Sequence, residues 1–148
     1  MAFNYRFERI LNINENEKKQ MERAYGELYD RLEQQGKKLI ELMKRKDALE
    51  NELEEQKRNA VTIFAIQDRL KAISAIGERI RLETEAYDRL KSRLEQSRAV
   101  LMDKSIEVKK YEKLKDIHFT AYRDQAKRSE NRLMDEVAAI RVFQSGQA

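Results

Sequence analysis

The sequence predicts an all-α protein: a long antiparallel two-helix coiled coil, or helical hairpin, with a C-terminal helical overhang. Three observations carry this expectation. From Phe7 onward, apolar residues recur in alternating steps of three and four without slipping for about fifty residues, which is the heptad signature of a coiled coil. The 148 residues include no proline and only four glycines, so the strongest helix breaker, worth roughly 3 kcal/mol in a helix interior, is missing. Charged residues make up 39% of the chain with both signs interspersed, and that composition with a helical period marks long helices.

The first helix is expected over about residues 3–56. One seam column reads Phe7, Asn14, Met21, Leu28, Gln35, Leu42, Leu49 and the other Leu11, Lys18, Tyr25, Leu32, Leu39, Lys46, Leu53, so ten of fourteen positions are apolar. Glu15/Lys19, Glu27/Arg31 and Glu41/Arg45 stand four residues apart in the order that supports a helix, each pair contributing roughly 0.2–0.5 kcal/mol.

A second seam begins at Ile66. Every seventh residue from there is Ile66, Ile73, Ile80, Tyr87, Leu94, Leu101, Val108, Lys115 and Tyr122, with a weaker companion column of Arg69, Ile76, Glu83, Leu90, Ser97, Lys104, Tyr111 and His118. The two seams are out of phase, so a turn is expected at about residues 57–61, within or just after Gln56-Lys57-Arg58-Asn59-Ala60. Asn59 tolerates turn and capping conformations there. The second helix is expected over about 62–142, with 143–148 disordered. One unbroken helix that dimerises is the alternative. Val61, Ile63 and Phe64 lie at the tip outside the paired layers, where they could close the seam or face a partner.

Folding the seams onto each other tests the hairpin. If facing positions sum to 118 or 119, Phe7 meets Tyr111, Leu11 meets Val108, Leu28 meets Leu90 and Leu53 meets Ile66. The polar misfits then coincide, Asn14 with Lys104 and Gln35 with Glu83. Polar residues that match in a single register specify alignment at some cost in stability. In this register the first helix runs out of partner near residue 115, and an overhang from about 116 carries Phe119, Tyr122, Ala126, Leu133, Val137 and Ile140 with nothing in the chain to cover them. An uncovered apolar stripe of that length marks a partner site or a segment disordered until bound.

Enzymatic chemistry is not expected. There is no cysteine, and the single histidine, His118, has no clustered partner. The glycines at 26, 36, 77 and 146 are isolated rather than grouped in a phosphate loop. A two-helix seam also offers no deep pocket in which a carboxylate pair could work. No cofactor, metal, nucleic-acid partner or direct membrane insertion is expected, since no run approaches the ~18 apolar residues of a span. The net charge of +4 is mild. The densest basic run, Lys104, Lys109, Lys110, Lys113 and Lys115, is diluted by Glu107, Glu112 and Asp116. It reads as a solvated face, as a dock for an acidic protein surface, or, without stacking aromatics beyond Tyr111, as a weak nucleic-acid site.

Three stretches resemble flagellar export proteins of the FliJ type. They are Phe3-Asn4-Tyr5-Arg6-Phe7-Glu8-Arg9-Ile10-Leu11 followed by Asn14-Glu15-Asn16-Glu17-Lys18, then Val108-Lys109-Lys110-Tyr111-Glu112-Lys113-Leu114-Lys115, then Leu133-Met134-Asp135-Glu136. In order and at fitting distances, they extend the resemblance over nearly the whole chain. The resemblance implies a cytoplasmic component of the flagellar type III export apparatus, peripherally associated with the membrane-bound machinery. It implies a coiled coil similar to the central stalk of rotary ATPases. Such a protein binds the hexameric export ATPase and promotes its assembly and activity, contacts the cytoplasmic domain of the export gate, and interacts with export chaperones. By that likeness the ATPase ring would be met by Tyr5, Arg6 and Arg9 on one helix and by Lys109, Lys110, Lys113, Phe119, Tyr122, Leu133 and Val137 on the other. The gate would be met near Leu70, Ile73, Gly77 and Ile80. A generic coiled-coil scaffold or chaperone that shields apolar segments of client proteins is the competing expectation.

Overall fold

The computed structural model describes residues 2–146. It contains two helices and, among the described residues, no strand: α1, Glu8–Arg58, and α2, Ile63–Gly146. They pack against each other as a helical hairpin, and they form two compact units, Met1–Lys19 with Asp103–Ala148 and Gln20–Met102.

In the first unit the core is Tyr5, Leu11 and Val108, at 5%, 3% and 2% exposure, with Phe3, Phe7, Tyr111 and Leu114 packed around them. Burying one such aliphatic side chain contributes about 1.5–3 kcal/mol. The pairings are those of the expected register. The rings of Phe7 and Tyr111 lie 6.1 Å apart, Leu11 and Val108 share the core, and the Lys104 ammonium donates to Asn14 Oδ1 at 3.3 Å. Asn14 is 6% exposed, and its Nδ2 finds no partner among the described residues. The polar layer is thus incompletely satisfied, and it costs stability while fixing alignment.

The second unit repeats the device. Gln35 Nε2 donates to the Glu83 backbone carbonyl at 3.0 Å and also to its carboxylate. Lys38 and Arg79 close on the same carboxylate at 3.0 and 3.3 Å. Leu39 and Leu53 are buried along this stretch, and Arg69 pairs with Glu52 across the helices.

The turn falls later than the sequence suggested. α1 continues to Arg58, Asn59 and Ala60 turn, and α2 opens at Ile63. Thr62 is the physical reason for that start. Its Oγ1 accepts from the Ala65 amide at 3.3 Å, an N-cap that satisfies one of the four orphan amides of a helix start. No residue of the turn needs positive φ, so the absence of glycine there costs nothing.

Two other boundaries differ. α1 begins at Glu8 rather than at about residue 3. Residues 2–5 have no regular structure and Arg6-Phe7 form a turn in which the Glu8 amide donates to the Tyr5 carbonyl at 3.2 Å, while Phe3, Tyr5 and Phe7 all pack toward α2. α2 reaches Gly146, so 143–146, expected to be disordered, are helical; residues 147 and 148 lie outside the described residues.

Glu83 yields a test of the polar layer. Hydrogen bonds from Gln35 and then Lys38 hold its carboxyl below the usual 4.5. A depressed carboxylate adds stability above its unfolded pKa and loses it as pH falls through the folded value. Urea unfolding of the parent chain should therefore weaken below about pH 4.5 more steeply than that of Glu83→Gln, and parallel pH profiles would show that the network contributes no net stability.

Candidate functional site

The surface with the most unspent chemistry lies in the first unit. Residues 3–7, non-helical and ending in a turn, lay an aromatic strap across α2. Phe3 stacks edge-on to Phe119 at 5.2 Å and tilts against Tyr122 at 5.5 Å. Tyr5 meets the His118 ring at 5.5 Å, and Phe7 lies 6.2 Å from it. The Tyr5 hydroxyl donates to the Tyr111 backbone carbonyl at 2.9 Å, and burial, with Tyr111 and Glu8 nearby, pushes its phenol up. His118 is held among rings, where it packs rather than binds.

The strap corrects one expectation. The overhang from about 116 is not bare at its start, because Phe3 packs against Phe119 and Tyr122, leaving Tyr122 half-buried and Phe119 at 44% exposure. The uncovered part is 123–146, exposed throughout. Its apolar side chains include Leu133 at 63%, Val137 at 44% and Ile140 at 57% exposure.

The basic run separates into two roles. Lys104 is drawn to Glu17 at 2.6 Å and Glu107 at 3.3 Å, and the Glu17 hydrogen bond raises its pKa first among the causes. Lys115 reaches Glu8 across the helices at 2.9 Å, which raises its pKa likewise. Lys109, Lys110 and Lys113 are exposed, and no acidic side chain pairs with them among the described residues. Arg9 is exposed too, and Arg6 places its guanidinium 5.6 Å from the Phe7 ring centroid.

Of the residues expected to meet a ring, Arg6, Arg9, Lys109, Lys110 and Lys113 offer charge. Leu133, Val137 and Phe119 offer apolar surface, while Tyr122 is half-buried against the strap. Tyr5 is buried and supports the strap rather than facing outward. The other expected set lies in the second unit. Leu70 is 48% exposed. Ile73, Gly77 and Ile80 are half-buried toward α1, and a Cβ on Gly77 would come within 3.9 Å of Lys46 Nζ. Among the described residues no group of three or more His, Cys, Asp or Glu could hold a metal. No helix is long and apolar enough to cross a membrane.

Comparison with known proteins gives a consistent result. The profile of the family described as flagellar FliJ protein matches residues 3–147. The flagellar FliJ protein of Bacillus subtilis (strain 168) is 27% identical over 138 residues, covering 93% of this chain and 94% of that one. No solved structure matches the chain.

The strap can be tested directly. Phe3→Ser should speed amide exchange across residues 2–10 and expose Phe119 and Tyr122 while leaving the helices formed. Tyr5→Phe, which keeps the ring but loses the bond to Tyr111, should have a smaller effect in the same direction. Unchanged exchange in both variants by mass spectrometry would mean the strap is held by something other than these contacts.

Proposed function

The chain belongs to the flagellar FliJ family, and on that premise we propose that it is a non-enzymatic component of the flagellar type III export apparatus. In this reading it is a cytoplasmic, stalk-like adaptor, peripherally associated with the membrane export machinery. It binds the export ATPase ring, promotes the ring's assembly and activity, and links it to the export gate and to substrate chaperones.

The observation that supports this reading most is the division of labour in the basic run. The hairpin uses Lys104 and Lys115 for itself and leaves Lys109, Lys110 and Lys113 exposed. Together with Arg6 and Arg9, and beside the exposed Leu133 and Val137 of α2, they offer a charged face and an apolar stripe. That combination suits a protein surface with acidic loops and apolar grooves. Charge of this kind chiefly speeds encounter and fixes orientation, while the apolar stripe supplies buried area. Phe119, at 44% exposure, adds to the apolar face directly, and half-buried Tyr122 joins the contact once the strap gives way, with Tyr5 setting the strap's position. The gate contact is assigned to Leu70, Ile73, Gly77 and Ile80, of which Leu70 is the most accessible.

Any effect on ATP hydrolysis runs through the ring. Lys109→Glu, Lys110→Glu and Lys113→Glu combined should weaken stimulation of the flagellar export ATPase by roughly tenfold at physiological salt, with the deficit shrinking as salt rises. Helicity should stay at the parent level, because these side chains lie off the seam. Full stimulation by the well-folded triple variant would remove the basic face from the ring contact.

A further inference from the structure

The turn between the helices carries a surface that the export reading does not use. Residues 59–67, Asn-Ala-Val-Thr-Ile-Phe-Ala-Ile-Gln, are the longest uncharged run in a chain that is 39% charged. Phe64 and Ile63 are 78% and 75% exposed, the most exposed large apolar side chains among the described residues, and Val61 beside them is 40% exposed. They do not close the seam: Leu53, at 7% exposure, and half-buried Ile66 already do so.

The charges closest to this knob along α1 are basic. The last turn of α1 is basic, Lys57 and Arg58. The first turn of α2 has no acidic residue, and the helix start adds the partial positive charge of its amides at the same place. Further along α2, Asp68 and Lys71 offset each other and Arg69 is paired with Glu52. Glu54 and Glu55 on α1 and Asp68 on α2 are the acidic neighbours, each further from the turn than Lys57 and Arg58. Glu54 pairs with Lys57 at 3.5 Å with both side chains more than half exposed, so an anionic surface can compete for that lysine.

We propose that the hairpin turn is a peripheral membrane-contact site that takes a bilayer with anionic headgroups. Lys57 and Arg58 meet the phosphates, and Val61, Ile63 and Phe64 enter the boundary between headgroups and acyl chains. The chemistry favours a lipid surface because the apolar side chains protrude together from a turn next to the basic pair Lys57 and Arg58. That is the arrangement of interfacial anchors, whose binding scales with apolar area plus attraction to anionic lipid. One knob and a few cations bind weakly alone, so the contact is a millimolar-lipid interaction that any second tether to the same membrane would strengthen by raising effective concentration. The inference does not rest on the export assignment.

The chain has no tryptophan, so Phe64→Trp in the full-length protein is a clean reporter. Vesicles of equal phosphatidylglycerol and phosphatidylcholine should shift its emission to the blue, bromine-labelled acyl chains should quench it, and pure phosphatidylcholine should do neither. Adding Lys57→Gln and Arg58→Gln should weaken binding about thirtyfold, since each cation near an anionic surface is worth roughly fivefold. Ile63→Ser with Phe64→Ser should abolish vesicle co-sedimentation while circular dichroism stays unchanged. No blue shift at millimolar anionic lipid would overturn the proposal. So would vesicle binding that survives the serine variant, which would place the contact elsewhere, or a blue shift produced by the export gate's cytoplasmic domain and not by vesicles, which would make the turn a protein dock.

Discussion

Two helices sharing an apolar seam can slide by a heptad and still bury leucine against leucine. What forbids it here is polar. Asn14 is buried and takes its hydrogen bond from Lys104, and Gln35 reaches both the backbone and the carboxylate of Glu83. An outward slip of seven residues would set Lys104 against Met21, Gln35 against Leu90 and Glu83 against Leu42, and leaving a buried polar group unpaired costs about 1–3 kcal/mol. Buried polar groups in a coiled coil are best understood as alignment devices rather than as sources of stability. The unpartnered Nδ2 of Asn14 shows that cost directly. Once the register is fixed, Tyr5 falls under the Tyr111 carbonyl and Phe3 under Phe119 and Tyr122.

The sequence was legible where one rule applied over many residues. Heptad spacing identified the helices, and the coincidence of polar misfits identified their register before any contact was known. It was opaque where a short segment followed a different rule from its neighbours. Phe3, Tyr5 and Phe7 sit directly ahead of a strong heptad column, and Phe7 belongs to that column, so the helical period absorbs them. The structure instead ends the segment in a turn at Arg6-Phe7, and five residues are too few to outweigh fifty. Thr62 was similarly overshadowed by Asn59: both can cap a helix, and only the one whose side chain reaches the third amide of the following turn sets the start.

The sorting of the lysines follows the same geometry. Lys104 and Lys115 occupy positions in the two seam columns of α2, so their stems pack against α1 and their ammonium groups snorkel to Glu17 and Glu8 at its edge. Lys109, Lys110 and Lys113 fall between those columns and face away. A run of five lysines is therefore two structural cations and three available ones. The site was thus partly readable from periodicity alone. The strap over Phe119 and Tyr122 was not, because it depends on where a non-helical segment comes to rest.

Residues 123–146 make the remaining point. A helix this long can persist in water without a packing partner, because its length exceeds the roughly 12–15 residues below which isolated helices are marginal. Its apolar side chains are nonetheless exposed, and folding of the hairpin gains nothing from Leu133, Val137 or Ile140. Exposed apolar area of this kind raises the free energy of the isolated chain in water and is recovered only when a partner covers it. On the aromatic strip of α2 the same holds in part. Tyr122 is half-buried beside Phe3, while Phe119 keeps 44% of its surface exposed, as much as Val137, so the apolar area left for a partner begins at Phe119 and runs on through 123–146.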